Sequence, residues 1–181
     1  MYAKSLNTYV PDLDKPVGYD LLAGDWVTPY GKGNNTDINF TGHLDKRADG
    51  ESDFTLTVSF PKAGDGIQEF TVPEAEKGSG LRSPHEAPTD GYQPQWVQTD
   101  NRKPGKPTST NRDPKRNYFF RVQTVLDAQG KVKSALYGKI YGDFMEFIFY
   151  LNPTLNDRNV EFDPKHNLMK NLNDFEGVNR P

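Results

Sequence analysis

Histidines and paired carboxylates are the first residues to test for chemistry, because proton transfer needs a titratable group beside a partner. The three histidines, His43, His85 and His166, are widely separated, and none sits in a zincin or EF-hand context. His43 stands beside Thr41 on the polar side of an alternating segment, the place of a solvated imidazole. Asp45, Asp49, Glu51 and Asp53 offer hard oxygen ligands of the kind Ca²⁺ takes. They lack EF-hand spacing, so an ordinary solvated turn is expected there and no metal site. Asp143 and Glu146 are close enough in sequence to suggest a glycosidase pair. Asp143 fits a turn, however, and Glu146 is expected to face Lys139 across a hairpin. The chain has no cysteine, which removes thiolate nucleophiles, Cys-based zinc sites and disulfides. It also has no G-x-S-x-G elbow, P-loop or dinucleotide fingerprint. Gly78-Ser79-Gly80 reads only as a loop. No catalytic residue, cofactor or metal is expected.

Binding chemistry has two sets of candidates. Trp26, Tyr30, Tyr92 and Trp96 lie outside the regular apolar runs, where flat rings serve either as glycan platforms or as caps on the ends of a core. Capping of the sandwich ends by Trp26 and Trp96 is the favoured reading. Arg102, Lys103, Lys106, Arg112, Lys115 and Arg116 form a basic segment. Residues 99–116 hold 6 Lys/Arg against 2 Asp/Glu, whereas residues 1–98 hold 8 against 15. A polyanion site is one reading and a solvated loop the favoured one. Nucleic acid is not expected, because the chain is acidic overall (pI ≈ 5.6) and the segment lacks interleaved aromatics for base stacking. Asn34-Asn35-Thr36 and Asn39-Phe40-Thr41 match the glycosylation sequon.

The elements that position these residues follow from periodicity. Hydrophobic residues are only 34% of 181, but aromatics are 12%, and the apolar groups are gathered into short runs. Ile38, Phe40, Gly42 and Leu44 alternate with polar residues, as do Phe54, Leu56, Val58 and Phe60. A period of two marks strands with one buried face. Setting Leu44 opposite Phe54 aligns Gly42 with Leu56, Phe40 with Val58 and Ile38 with Phe60. Ile67, Phe70 and Val72 suggest a further strand. Val17–Leu22, Trp26–Val27 and Val160–Phe162 are expected as short strands.

Tyr118 to Leu151 reads as a three-stranded antiparallel meander. A three-residue loop with Gly130 left-handed pairs Leu126 with Val132, Thr124 with Ser134, Val122 with Leu136 and Phe120 with Gly138, keeping one continuous apolar face. The second turn, Tyr141-Gly142-Asp143-Phe144, fits a type II′ loop with Gly first. That pairs Ile140 with Met145, Gly138 with Phe147, Leu136 with Phe149 and Lys139 with Glu146.

A single domain over residues 1–181 is expected, with an extended N-terminal segment over 1–36, a long loop region over 73–116 and a tail over 165–181. Residues 166–176 are the only helix candidate. Two antiparallel groups, each with one apolar face, predict an all-β, immunoglobulin-like antiparallel β-sandwich with long irregular loops. A β-barrel is the alternative. No apolar run reaches the roughly 18–20 residues of a membrane helix, and Met1–Lys15 lacks a signal-peptide core. An exported form would have lost its signal before Met1.

The run Ser134–Leu168, SALYGKIYGDFMEFIFYLNPTLNDRNVEFDPKHNL, resembles the exported domain of a bacterial protein class encoded beside type IV pilus-like assembly genes. The resemblance implies an immunoglobulin-like fold, a periplasmic or cell-surface location, and a structural or interaction role beside envelope or pilus proteins. It carries over no functional residue. A non-enzymatic surface or envelope protein is therefore the leading expectation. A carbohydrate-binding module, with glycan as partner, is the runner-up.

Overall fold

The computed structural model describes residues 1–7, 9–71, 84–113 and 115–179. Val72 and Gly78-Ser79-Gly80 lie outside them. Among the described residues eleven strands run in the order β1 (Tyr2–Asn7), β2 (Val17–Asp20), β3 (Asp25–Trp26), β4 (Ile38–Lys46), β5 (Ser52–Ser59), β6 (Gly66–Thr71), β7 (Gln95–Arg102), β8 (Ser109–Thr110), β9 (Arg116–Leu126), β10 (Val132–Asp143) and β11 (Glu146–Asn152). They form two antiparallel sheets. The first, of five strands, has the order β1-β11-β10-β9-β6, and the second, of six, has the order β3-β2-β4-β5-β7-β8. Neither closes on itself, so the architecture is a β-sandwich and not a barrel.

The core lies between the inner faces. Tyr19, Ile38, Phe40, Leu56 and Val58 of the second sheet meet Phe120, Val122, Ile140, Phe147 and Phe149 of the first. The β4/β5 register is the one the alternation predicts, with Leu44 opposite Phe54, Gly42 opposite Leu56 and Phe40 opposite Val58. A slip of one residue would turn this apolar set to water.

The β9–β10 hairpin also matches its expectation over most of its length. Gly130 has φ 76°, and Leu126 faces Val132, Val122 faces Leu136 and Phe120 faces Gly138. Between them a bulge sets Ser134 opposite Val125 and not Thr124. The cause is Asp65, whose carboxylate accepts hydrogen bonds from the backbone N–H of Gln123 (3.1 Å) and Thr124 (2.8 Å). Gln123 takes φ 55° to present them.

The β10–β11 turn corrects the expectation. The two-residue loop is Phe144-Met145, closed by Asp143 opposite Glu146, so Gly142 faces Phe147, Ile140 faces Phe149 and Gly138 faces Leu151. Two effects outweigh a glycine-first turn. The Asp143 carboxylate accepts from the N–H of Met145 (2.8 Å) and Glu146 (3.2 Å), and the Phe144 ring enters the core beside Tyr118 (centroids 4.9 Å apart). The slip is by an even number, so every apolar side chain keeps its face. Lys139 now lies opposite Tyr150, not Glu146.

Three stretches differ from their sequence reading. The N-terminal segment supplies β1, which pairs with β11. The long loop region contains β7, paired along its whole length with β5. Strict alternation is missing in both, because β7 carries Gln98 and Asp100 on its inner side opposite Leu56 and Phe54. Conversely, Val160–Phe162 is not a strand and is preceded only by an isolated bridge between Glu86 and Asn159. Residues 166–176 form turns after a three-residue 3-10 helix at Pro164–His166, with no α-helix.

The outer face of the first sheet is covered as well. Ala87, Tyr92 and Val160 pack on Phe119, Ala135 and Tyr137. Phe162 and Val178 pack on Ala3 and Tyr150. Burial on both faces explains why β10 and β11 read as nearly continuous apolar runs.

Candidate functional site

A buried polar cluster gathers loops at one end of the sandwich. Asp20, Asp37 and Asp65 are all buried there. Asp20 ends β2 and leads into a turn, and its two oxygens accept four backbone N–H groups. Oδ1 takes those of Leu22 and Ala23, and Oδ2 takes those of Asn34 and Asn35, at 2.9–3.1 Å. Asp37 accepts from the Leu21 N–H (3.0 Å), the Asn35 amide (2.6 Å) and the Gln123 amide (3.1 Å). Gln123 belongs to the first sheet and Asp37 adjoins the second, so this bond ties the two layers. Burial pushes the Asp37 carboxyl up to about 6, and the neighbouring charges of Asp20 and Asp65 add to the push.

No sequence motif marks this cluster. A local signal exists only at Asp20, whose Oδ1 accepts the N–H of Leu22 two residues on, the Asx turn that Asp favours. The pairing of such turns across two sheets has no sequence signature. Among the described residues no group of three or more His, Cys, Asp or Glu is arranged to hold a metal ion. What the cluster does chemically is accept N–H bonds and hold loops.

The aromatic candidates separate. Trp26 is buried, edge-to-face with Tyr19 (5.1 Å) and Phe40 (5.3 Å). It fills the capping role and presents no ring face to a ligand. Tyr30 is exposed and donates its hydroxyl hydrogen to Asp12 (2.8 Å). Tyr92 lies under the Arg121 guanidinium at 4.7 Å and donates to the Pro88 carbonyl. Trp96 is half-buried, with Arg116 over its ring at 4.8 Å and Tyr118 at 5.6 Å. These four side chains form no common platform. Arg121 was not singled out by sequence. It is buried and holds the Gly64 and Thr89 carbonyls at 2.7 and 2.9 Å.

The basic segment also divides. Arg102, Lys103 and Lys106 lie at the exposed β7–β8 hairpin, with Lys103 3.5 Å from Glu51. Arg112 joins the layers through ion pairs, and Arg116 joins them by lying over the Trp96 ring of β7 while its ion pair stays within the first sheet. Arg112 pairs with Asp100 of β7 and with Asp143 of the β10–β11 turn (3.2 Å), and Arg116 pairs with Glu69 of β6 (3.0 Å). The Lys115 backbone N–H donates to Asp113. The six charges that form one basic segment in sequence are divided between two locations, and Lys103, Arg112 and Arg116 meet acidic partners. Arg47 is likewise held by Glu51 and Asp53 at the acidic hairpin.

The histidines stay apart. His43 is exposed on β4, His85 Nδ1 lies 2.7 Å from Glu161, and His166 Nδ1 lies 2.6 Å from Asp163. The most unusual single group is Lys139. It is buried on the covered outer face, with its ammonium 5.0 Å from the Tyr141 ring and 4.8 Å from the Tyr150 ring. Burial lowers its pKa to about 8, opposed by the Glu161 charge. Against known proteins, no family model, curated protein or solved structure matches this chain.

Proposed function

We propose that this chain is a non-enzymatic structural and interaction protein of a bacterial envelope or cell surface, working beside pilus-like assembly proteins. The observation that carries the reading is the use made of the buried carboxylates. Asp20, Asp37 and Asp65 are committed to backbone and amide donors of the turn after β2, the segment before β4 and the bulged part of β9. Groups so engaged act as a scaffold. The envelope location rests on the resemblance of Ser134–Leu168, a run that spans most of β10, all of β11 and the turns that cover the outer face. The test is surface labelling and crosslinking of intact cells of the native host. Labelling of this chain, with pilus or envelope components in the crosslinked species, is the expected result. A chain recovered only from the cytoplasm overturns the proposal.

A further inference from the structure

An edge strand presents a row of unpaired N–H and C=O groups, and proteins cover such rows to prevent pairing with another chain. Here β1 is the edge of the first sheet. Its odd-numbered residues point their backbone groups away from β11. All four of those described bonds go to the C-terminal tail. The Met1 carbonyl accepts from the Leu168 N–H (3.0 Å), and the Ser5 N–H donates to the Glu176 carbonyl (2.9 Å). Ala3 is held at both ends by one side chain. Its N–H donates to Asn167 Oδ1 (3.0 Å), and its carbonyl accepts from Asn167 Nδ2 (2.8 Å).

The Asn167 amide thus takes the place of a peptide group on a neighbouring strand. The same device recurs on β7, where Asn111 bonds the Thr99 N–H and the Val97 carbonyl. There Asn111 directly follows β8. On β1 the guard is a tail whose described residues, after the three-residue 3-10 helix, have only turns and irregular backbone, fastened by Phe162, Val178 and a Lys4–Glu176 ion pair of 2.7 Å.

The outward groups of an antiparallel edge strand can pair with those of an identical strand, and the side chains of β1 suit that register. Consider two β1 strands antiparallel about a twofold axis at Ala3. Each Ala3 N–H then meets the other copy's Ala3 carbonyl, and each Ser5 N–H meets the other copy's Met1 carbonyl. Every group now held by the tail finds a partner. Lys4 falls opposite Tyr2, so no like charges face each other. A self-complementary patch is what a twofold interface requires.

We infer that the β1 edge is a strand-addition surface whose partner is β1 of a second copy, kept closed by the tail through Asn167 and Glu176. Release of the tail joins two five-stranded sheets into one. The inference rests on this edge alone and holds whatever the cellular location.

The experiment uses the full chain carrying Asn167→Leu and Glu176→Gln, which loosen the guard without touching β1. Light scattering after size exclusion is expected to show a dimer at a concentration where the unsubstituted chain is a monomer. Hydrogen exchange is expected to show the Ala3 and Ser5 amides protected in that dimer. Adding Ser5→Pro removes one outward donor while leaving the ladder to β11 intact, and is expected to restore the monomer. A peptide copying residues 1–7 is expected to compete with the dimer. A double variant that stays monomeric, or a dimer indifferent to Ser5→Pro and to the peptide, overturns the inference.

Discussion

The Lys139 ammonium lies 4.8 Å from the centroid of the Tyr150 ring, its direct cross-strand neighbour, beneath a covering that includes Phe162 and Val178. A cation over an aromatic face recovers part of what burial costs it. Its pKa is nevertheless lowered from 10.5 to about 8 by that burial. A lysine that binds its proton less tightly folded than unfolded makes the unfolded chain the better proton acceptor. Stability therefore rises with pH across the window between about 8 and 10.5. Urea unfolding at several pH values is expected to show this rise, and Lys139→Met is expected to abolish it.

Asp37 gives the opposite slope. Its carboxyl is raised from 3.8 to about 6, so the folded chain holds the proton more tightly. Its contribution is fully present below the ordinary value and is lost as pH climbs through about 6. The change is on the order of 2–3 kcal/mol, since one unit corresponds to about 1.4 kcal/mol. Asp37→Asn cannot titrate. It is expected to flatten this part of the profile in a denaturant series from acid to neutral pH.

Of the two glycines in β10, Gly138 has less room for a side chain than Gly142. A Cβ there would meet the Phe120 ring and the Tyr150 carbonyl. Neither yields without moving a strand or a core ring. Gly138→Ala is expected to destabilise by about 2–3 kcal/mol, the usual cost of overpacking. A Tm equal to that of the unsubstituted chain would refute this.

Trp26 and Trp96 are expected to respond differently to substitution. Trp26 is in the core, so Trp26→Ala is expected to cost about 3–5 kcal/mol. Trp96 is half-buried beneath Arg116, so Trp96→Ala is expected to cost less. If a glycan titration changes the fluorescence of the folded protein, the change is expected to vanish in Trp96→Ala and to survive in Trp26→Phe. A signal lost in Trp26→Phe would refute the core assignment.

Much of the fold was legible because β-structure writes its buried face every second residue. The alternation at Phe54, Leu56, Val58 and Phe60 determined both a strand and its partner's register. Gly130 marked a turn that the hydrophobic pattern then positioned. Where the pattern was silent, the reading failed in understandable ways. The β7 strand hid because its inner side carries Gln98 and Asp100. The β10–β11 turn was misplaced because an even slip leaves all apolar faces unchanged, so periodicity cannot see it. The energy of inserting Phe144 into the core decided between registers.

The candidate sites show the same division. Sequence alone established an all-β chain without cysteine chemistry, with a basic segment and dispersed aromatics, because composition and period are local properties. Only the tertiary structure decided that Trp26 is core, that Arg112 and Arg116 join the layers, and that Asp20, Asp37 and Asp65 converge. It alone showed that Asn167 stands in for a peptide group on an edge 164 residues away. Those are contacts between distant parts of the chain, and their strength depends on burial and geometry that no local pattern records.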